Sequence, residues 1–297
     1  MGELHLGVIL PNYGSALDGE HLAAVAVAAE DAGFDSGWVS DHLMVPAEIA
    51  PVYGTISEAL VSLGFLAART QRLRLGVSAL VVPQRNPLVA LKQVTSLDFL
   101  SGGRVVLAVA AGWLEKEFET LGSPFRERGR RLDDWLQLAR SAFAQMPGPV
   151  EHVGGLRIED GWLAPALVAP DAIEIWVAGV SDATLRRAAQ TGVWHPVALP
   201  PAQLAESARR FRDRRADGRV VLRLSTLFSD EPDPHSCDER GRHAVAGPSH
   251  WIAERLAEYV DAGCNGFIVN LGHDVPELEE RVQRFADEVW PTVARSS

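Results

Sequence analysis

Residues Arg104–Ala111 read RVVLAVAA, an apolar run that is nearly continuous and does not alternate with polar residues. A strand that is covered on both faces has this pattern, whereas a half-buried strand alternates. Ser101-Gly102-Gly103 precedes the run and ends Pro87–Leu100, which the pattern predicts to be a helix. We therefore expect a parallel sheet with helices packed against it.

The same alternation of short apolar runs and longer amphipathic stretches extends in both directions. Eight strands are predicted, each followed by a helix: Leu4–Pro11, Gly37–Ser40, Leu73–Val82, Arg104–Ala111, Glu174–Ala178, Val193–Ala198, Val220–Phe228 and Gly266–Leu271. Eight βα units predict an α/β fold, a (β/α)8 TIM barrel with its active site on the loops after the strands. A doubly wound open sheet is the alternative, but the first strand is not followed by GxGxxG and no Walker A motif occurs.

Four insertions lengthen the regular pattern. They are Val45–Gly54 after strand 2, Gly112–Gly129 after strand 4, Gln145–Asp171 before strand 5 and Ser229–Pro248 after strand 7. Within the third, Val150–Ile158 and Gly161–Leu163 are predicted to form a hairpin, and segments of this length without regular structure are usually lids or disordered. Because the extra length falls in loops, residues 1–297 are predicted to be a single domain.

Two helices are predicted from local signals. Thr55-x-x-Glu58 is a capping-box signature and predicts a helix that continues to Thr70. An amphipathic pattern over Val275–Trp290 predicts the last helix.

Composition and charge narrow the classes of function. The net charge of −11 disfavours nucleic acid and anionic lipid as partners, because both attract basic surfaces. Val105–Leu114, the longest apolar run, is far shorter than the ~20 residues that span a bilayer. Cys237 and Cys264 form no metal-ligand spacing, and His235, His243 and His250 fit no zinc pattern. We expect a cytoplasmic protein with a small-molecule substrate, no metal and no membrane contact.

The exit of strand 2 carries Asp41-His42, at a position where TIM barrels place catalytic groups. His42 could donate or accept a proton at a substrate oxygen, and core packing is the alternative. Asp41 could orient His42, but neighbouring side chains on a strand diverge, so a helix cap or a surface salt link is as plausible. Glu115 and Glu117, after strand 4, are expected to be solvated, and a role in the site is the alternative.

Other strand exits carry residues that suit a flat ligand. Val77–Leu80 is rich in small residues, although ordinary packing taper would explain it. Gly112 relieves steric demand on the backbone, and the ring of Trp113 could stack on a ligand; a Trp113 that only packs in the core or in a lid is the alternative. Gly179-Val180-Ser181 precedes a helix whose N-terminus could bind an anion, and Ser181 is equally an N-cap. Trp194-His195 ends strand 6, and a position in the pocket and a role in core packing are equally plausible for this pair.

Several segments, in order and spacing over nearly the whole chain, resemble the luciferase-like (bacterial luciferase) superfamily of flavin and deazaflavin oxidoreductases. They are Ala29–Asp35 with Trp38–His42, Leu66–Gly76, Pro83–Pro87, Leu97–Arg104, Gly112-Trp113 with Glu117-Phe118, Pro124–Gly129, Ile175–Gly179, and Ala253–Leu256 with Asp261–Gly263.

The resemblance implies a flavin-like tricycle at the strand exits. A non-proline cis peptide at Ser78–Ala79 would support the ring, the region of Gly179–Ser181 would hold the cofactor phosphate, and His42 would be the active-site histidine. The cofactor-binding residues that follow are Ser78, Ala79, Gly112, Trp113, Gly179, Val180, Ser181 and Trp194.

Asn12-Tyr13, Asp41-His42 and Arg85-Asn86-Pro87 are most similar to the branch that uses coenzyme F420, and the resemblance implies a homodimer. Pro46 and Trp113 depart from the active-site Trp and the acidic proton donor of its sugar-phosphate dehydrogenases. Two alternatives to an F420-dependent oxidoreductase therefore stay open. One is an FMN-dependent monooxygenase served by a separate flavin reductase, and the other is a non-catalytic cofactor-binding barrel.

Overall fold

The computed structural model describes residues 4–15, 17–149, 152–153, 156–157, 161–169, 173–272 and 275–295. Eight strands share one parallel sheet: β1 His5–Ile9, β2 Ser36–Val39, β3 Arg74–Leu80, β4 Val105–Val109, β5 Glu174–Ala178, β6 Val193–His195, β7 Arg219–Phe228 and β8 Gly266–Asn270. The α-helices of these ranges are α1 Gly19–Asp31, α2 Ala50–Tyr53, α3 Ala59–Ala67, α4 Pro87–Ser101, α5 Glu115–Thr120, α6 Arg128–Gln145, α7 Asp182–Thr191, α8 Pro201–Arg212, α9 Ser249–Asp261, α10 Leu278–Arg284 and α11 Trp290–Ala294.

The sheet closes on itself. Each strand pairs in parallel with the next strand of the chain, and β8 returns to pair with β1 through registers such as Leu6 opposite Phe267. The (β/α)8 barrel predicted from the sequence is confirmed, and closure rules out the open-sheet alternative. None of the helices in the described ranges is both long and apolar enough to cross a membrane.

Large aromatic side chains fill the barrel interior below the strand exits. Trp38 of β2 and Trp176 of β5 meet with ring centroids 4.6 Å apart, and both are fully buried. Gly76 makes room for them, because a Cβ on it would lie 2.5 Å from the ring of Trp38. With this end filled, the open space of the barrel lies at the carboxyl ends of the strands.

The insertion after β7 differs from its prediction as a segment without regular structure. Ala244–Gly247 forms a short strand that pairs in parallel with the end of β7. Antiparallel bridges join Asp233 to Ala246 and Cys237 to His243. The segment therefore extends the sheet above the barrel, and local composition did not reveal this long-range pairing.

The insertion before β5 contains two short antiparallel pairs. Gly148–Pro149 pairs with Trp162–Leu163, and His152–Val153 pairs with Leu156–Arg157. The remaining residues of the predicted hairpin, 150–151, 154–155 and 158–160, lie outside the described residues.

Two helix boundaries differ from their predictions. Thr55 does not cap α3, because Gly14 N donates to Thr55 O at 2.9 Å and a β-bridge follows at Ile56. Glu58 is the N-cap instead, accepting a hydrogen bond from Val61 N at 2.8 Å.

The predicted last helix is interrupted by a π-helical turn at Phe285–Val289. Pro291 follows this turn and has no N–H to continue the α-helical pattern. The helix resumes as Trp290–Ala294.

Candidate active site

A cavity of about 470 Å³ opens at the carboxyl ends of the strands. Its lining comes from the exits of β2 to β6, from β7 and from the insertion after β7: Ser40, Asp41, His42, Tyr53, Ser78, Ala79, Val81, Ala110, Ala111, Gly112, Trp113, Arg128, Ala178, Gly179, Val180, Ser181, Thr184, Val197, Arg223, Arg240 and Arg242. The sequence-predicted site residues are brought together here, with the exception of Trp194.

His42 is held by a carboxylate from another strand exit. Its Nδ1 lies 3.0 Å from Oε2 of Glu117, which is on α5 after β4. The side chains of His42 and Glu117 are 8% and 1% exposed. The prediction that Glu117 is solvated is wrong, whereas Glu115 is exposed as expected.

Glu117 accepts several hydrogen bonds as a carboxylate. Its Oε1 accepts from the amides of Leu43 at 2.7 Å and Met44 at 3.1 Å. Burial alone would raise the pKa of Glu117, but the hydrogen bonds from His42, Gln84 and the Leu43 amide outweigh it and hold the pKa below its ordinary value. An ionised carboxylate only accepts, so Nδ1 of His42 carries a proton and Nε2 is the nitrogen left to the cavity.

Asp41 forms a salt link, which was one of the alternatives considered for it, but the link is buried and does not orient His42. The two carboxylate oxygens of Asp41 accept hydrogen bonds from Arg85, at 2.7 Å from Nη2 and 2.9 Å from Nη1. The amide of Val81 also donates to this carboxylate at 2.8 Å. The pair is buried, with Arg85 8% and Asp41 0% exposed. Asp41 therefore stabilises the loop after β3, and the role of orienting His42 falls to Glu117.

The strand β3 exit forms the floor of the cavity. The Ser78–Ala79 peptide bond is cis, as the resemblance implied. The Ser78 side chain lies 2.8 Å from Nε2 of His195, whose Nδ1 lies 2.7 Å from Val221 O. Burial lowers the pKa of His195 to about 4, so the ring is neutral and accepts from the Ser78 hydroxyl. His195 is thus a buried support for Ser78 that does not line the cavity.

Arg223 of β7 completes this floor. Its guanidinium donates to the carbonyl oxygen of Ser78 and, at 3.1 Å, to Ser40 Oγ. Arg223 is 8% exposed, so the cavity has a buried cation against it. Arg223 was not among the predicted site residues, although it is the one charged residue within the predicted strand Val220–Phe228.

Gly112 and Trp113 form one wall. Gly112 has φ +89°, and a Cβ on it would lie 2.6 Å from Phe118 and 2.7 Å from Val81. Trp113 is 48% exposed and faces the edge of His42 with ring centroids 6.0 Å apart. A glycine is required at this turn so that the following indole can reach the cavity.

The opposite wall begins helix α7. Gly179 has φ +126°, and a Cβ on it would lie 2.9 Å from Thr184 Oγ1. Ser181 is the N-cap, accepting from Thr184 N at 3.1 Å, so both roles proposed for it remain compatible. Helix N-termini present free first-turn N–H groups and the positive end of the helix dipole, and both favour an anion at such a position.

Trp194 does not line the cavity, contrary to its prediction as a cofactor contact. It is fully buried, packs with Phe211 of α8, and donates from Nε1 to Gly179 O at 2.7 Å. Side chains alternate along β6, so His195 points into the barrel and Trp194 points out. Its link to the site is the positioning of Gly179.

Known proteins resemble this chain as follows. The family model for luciferase-like monooxygenases matches residues 4–234. An uncharacterized protein of Mycobacterium tuberculosis is 30% identical over 210 residues, which are 65% of this chain and 70% of that protein.

Two solved structures share the fold. The coenzyme F420 dependent tetrahydromethanopterin reductase from Methanopyrus kandleri has a TM-score of 0.80 at 16% identity, covering 98% of this chain and 99% of the reductase. The oxygenating constituent of 3,6-diketocamphane monooxygenase from Pseudomonas putida, in complex with FMN, has a TM-score of 0.74 at 15% identity, covering 98% of each chain.

Proposed function

We propose, since the chain belongs to the luciferase-like monooxygenase family, that it is an oxidoreductase that transfers a hydride between coenzyme F420 and a small organic substrate. The observation that carries the proposal is the buried pair of His42 and Glu117 at the edge of the cavity. This pair supplies an oriented proton donor and acceptor next to space that suits a flat ligand.

The residues of the cavity fit a flat, anionic cofactor. Ala79, Ala110 and Ala111 give a wall of small side chains, and Gly112 lines the same cavity without a side chain. The N-terminus of α7, with Ser181, offers hydrogen-bond donors to a phosphate. These features would hold the cofactor that the resemblance implies, with Ser78, Ala79 and Val180 as further contacts.

The chain's own chemistry centres on His42. Bound F420 would supply or accept the hydride, and the protein would handle the coupled proton. Glu117 keeps the proton on Nδ1, so neutral His42 presents the lone pair of Nε2 to a substrate hydroxyl. In the reverse direction, protonated His42 would donate from Nε2 to a substrate carbonyl oxygen, with Glu117 stabilising the positive charge of the ring.

Cofactor titration tests the proposal directly. Purified protein is titrated with F420 and, separately, with FMN, and binding is followed by the fluorescence of each cofactor. We expect binding of F420 at micromolar concentration or below and FMN binding that is weaker. Micromolar affinity for FMN without any binding of F420 would overturn the choice of cofactor.

The FMN complex among the structural neighbours favours a second candidate, an FMN-dependent monooxygenase with a separate flavin reductase. The two candidates differ in their use of oxygen, since the reduced flavin would have to react with O₂. Oxygen consumption that depends on FMN and on added reductase would support this candidate over ours.

A non-catalytic barrel is tested by one substitution. If the wild type shows turnover, and His42→Ala abolishes it while cofactor affinity is preserved, the non-catalytic barrel is ruled out. Turnover that survives His42→Ala would contradict the role given to His42.

We also propose three properties that follow from the resemblance and the single closed sheet. Residues 1–297 form one domain, two copies associate as a homodimer, and the protein acts in the cytoplasm on a small molecule. Sedimentation analysis of the purified protein tests the dimer, because a monomer at micromolar concentration would contradict it.

A further inference from the structure

The cavity carries the opposite charge from the chain around it. The chain has a net charge of −11, yet four arginines line the cavity: Arg128, Arg223, Arg240 and Arg242. Asp41 is the one acidic residue among the described lining residues, and Arg85 from outside the lining neutralises it. Asp238 compensates Arg242, and Glu117 lies against His42. The excess positive charge of the cavity therefore comes from Arg128, Arg223 and Arg240, and it favours anions there although the protein as a whole repels them.

The insertion after β7 places Arg240 by means of a buried carboxylate. Asp238 is 8% exposed, and its Oδ1 accepts from the amides of Arg240 and Arg242, both at 2.9 Å. Its Oδ2 accepts a hydrogen bond from Nε of Arg242 at 2.7 Å. Asp238 is thus occupied with the turn and with Arg242. Within the described residues, neither Asp238 nor the exposed Glu239 forms an ion pair with Arg240.

Arg240 is held against aromatic rings of the site. Its guanidinium carbon lies 4.1 Å from the ring centroid of Trp113 and 6.0 Å from that of Tyr53. Across the described part of the chain, this guanidinium forms no ion pair and no hydrogen bond. Stacking leaves the N–H groups in the plane of the guanidinium free for a carboxylate or a similar anion.

The position of Arg240 relative to His42 indicates which ligand it meets. Both contact Trp113, whose ring centroid lies 6.0 Å from that of His42 and 4.1 Å from the guanidinium carbon, so this carbon lies at most about 10 Å from the centre of the His42 ring. A small molecule whose reacting oxygen meets His42 could therefore reach Arg240 with a group several bonds away.

We propose that Arg240 is the anion-binding subsite for the substrate, and that the substrate carries a carboxylate, sulfonate or phosphate in addition to its reacting hydroxyl or carbonyl. This inference rests on the proposed function for the role of His42. A phosphate of the cofactor has the same chemistry, so the test must separate the two sources of negative charge.

Matched probes isolate the charge. Benzoate and benzyl alcohol have nearly the same shape and differ in charge, and their binding to the full-length protein is measured by calorimetry, both without cofactor and with saturating F420 or FMN. We expect benzoate to bind at least tenfold more tightly than benzyl alcohol. In Arg240→Gln, benzoate affinity should fall at least tenfold while benzyl alcohol changes less than twofold.

Two further variants control the measurement. Arg126→Gln removes an exposed arginine that does not line the cavity, and it should leave both affinities unchanged. Arg240→Lys keeps the charge and should retain most of the preference for benzoate even if the glutamine variant proves unstable.

The outcomes separate this inference from the proposed function. Equal affinities of the wild type for the two probes, or an unchanged preference in Arg240→Gln, would overturn the subsite. If Arg240→Gln instead weakens cofactor binding tenfold and spares benzoate, the anion is the cofactor phosphate and the substrate assignment is wrong. Because the probes are also measured without cofactor, a failure of F420 to bind would overturn the proposed function without deciding this test.

Discussion

Replacing Glu117 by Gln should change which nitrogen of His42 carries the proton. The new side chain has nearly the same shape, but only one of its two terminal atoms accepts hydrogen bonds. The amides of Leu43 and Met44 both donate to Oε1, so they select the amide oxygen for that position. The amide nitrogen then faces Nδ1 of His42, which must give up its proton and accept.

The magnitude follows from the interaction that is lost. A hydrogen bond to a charged group contributes ~1.5–3 kcal/mol. Because 1.4 kcal/mol corresponds to a factor of ten, the ratio of the Nδ1–H to the Nε2–H tautomer should fall about 10- to 100-fold. The cavity-facing nitrogen becomes a donor, so any turnover that needs His42 as a base should fall by a similar factor.

Nitrogen-15 NMR of the histidine side chains reports the tautomer without requiring a substrate. Wild-type His42 should show a protonated Nδ1 and Glu117→Gln a protonated Nε2. Glu115→Gln is the matched control, since Glu115 lies on the same helix but is exposed. A proton that stays on Nδ1 in Glu117→Gln would refute the reasoning that Glu117 orients His42.

Three further outcomes are expected. Asp41→Asn leaves the buried Arg85 without its bidentate carboxylate partner. The free energy of unfolding, measured by urea titration, should therefore fall by about 3 kcal/mol, and a loss below about 1 kcal/mol would contradict the importance of this pair. Gly179→Ala places a Cβ 2.9 Å from Thr184 Oγ1 and should weaken cofactor binding about tenfold in fluorescence titrations, and unchanged affinity would argue against a phosphate at the α7 N-terminus. Burial lowers the pKa of His195 from 6.5 to about 4, so the unfolded chain binds a proton in that range while the folded protein does not. The free energy of unfolding therefore has its full contribution from neutral His195 above pH 6.5, and this contribution falls by up to about 1.4 kcal/mol per pH unit toward pH 4. In His195→Gln, the free energy of unfolding should depend less steeply on pH in this range. An equal pH dependence in the two proteins would contradict the lowered pKa of His195.

The barrel was predictable because its signals are local. The continuous run at Arg104–Ala111 and the stop at Gly102 each report on their own segment, and the structure has β4 at Val105–Val109 and α4 ending at Ser101. Eight such units leave few ways to arrange a parallel sheet. Thr55 failed as a cap for the opposite reason, because its backbone is engaged by Gly14, far away in sequence.

The site was predictable only in part, because its polar pairs join distant segments. His42 followed from its position at a strand exit, but the partner Glu117 is 75 residues away along the chain. One signal for it was available. Successive residues of a helix are 100° apart, so Glu115 and Glu117 point in nearly opposite directions and cannot both face solvent to the same degree. The buried Phe118, next to Glu117, marks the inner face of α5.

The charge of the site shows why net charge is a poor guide to ligands. A chain of −11 predicts that any anion must be held by local groups, and the arginines that could hold one come from three separate segments. Arg128 begins α6, Arg223 lies within β7 and Arg240 lies in the following insertion, so only the closed barrel brings them to one cavity. Fixed positive charge in a concave, partly buried site acts on a ligand more strongly than the scattered surface carboxylates, which salt screens. An acidic surface around a cavity with excess positive charge therefore favours small anions that fit the cavity and repels large polyanions.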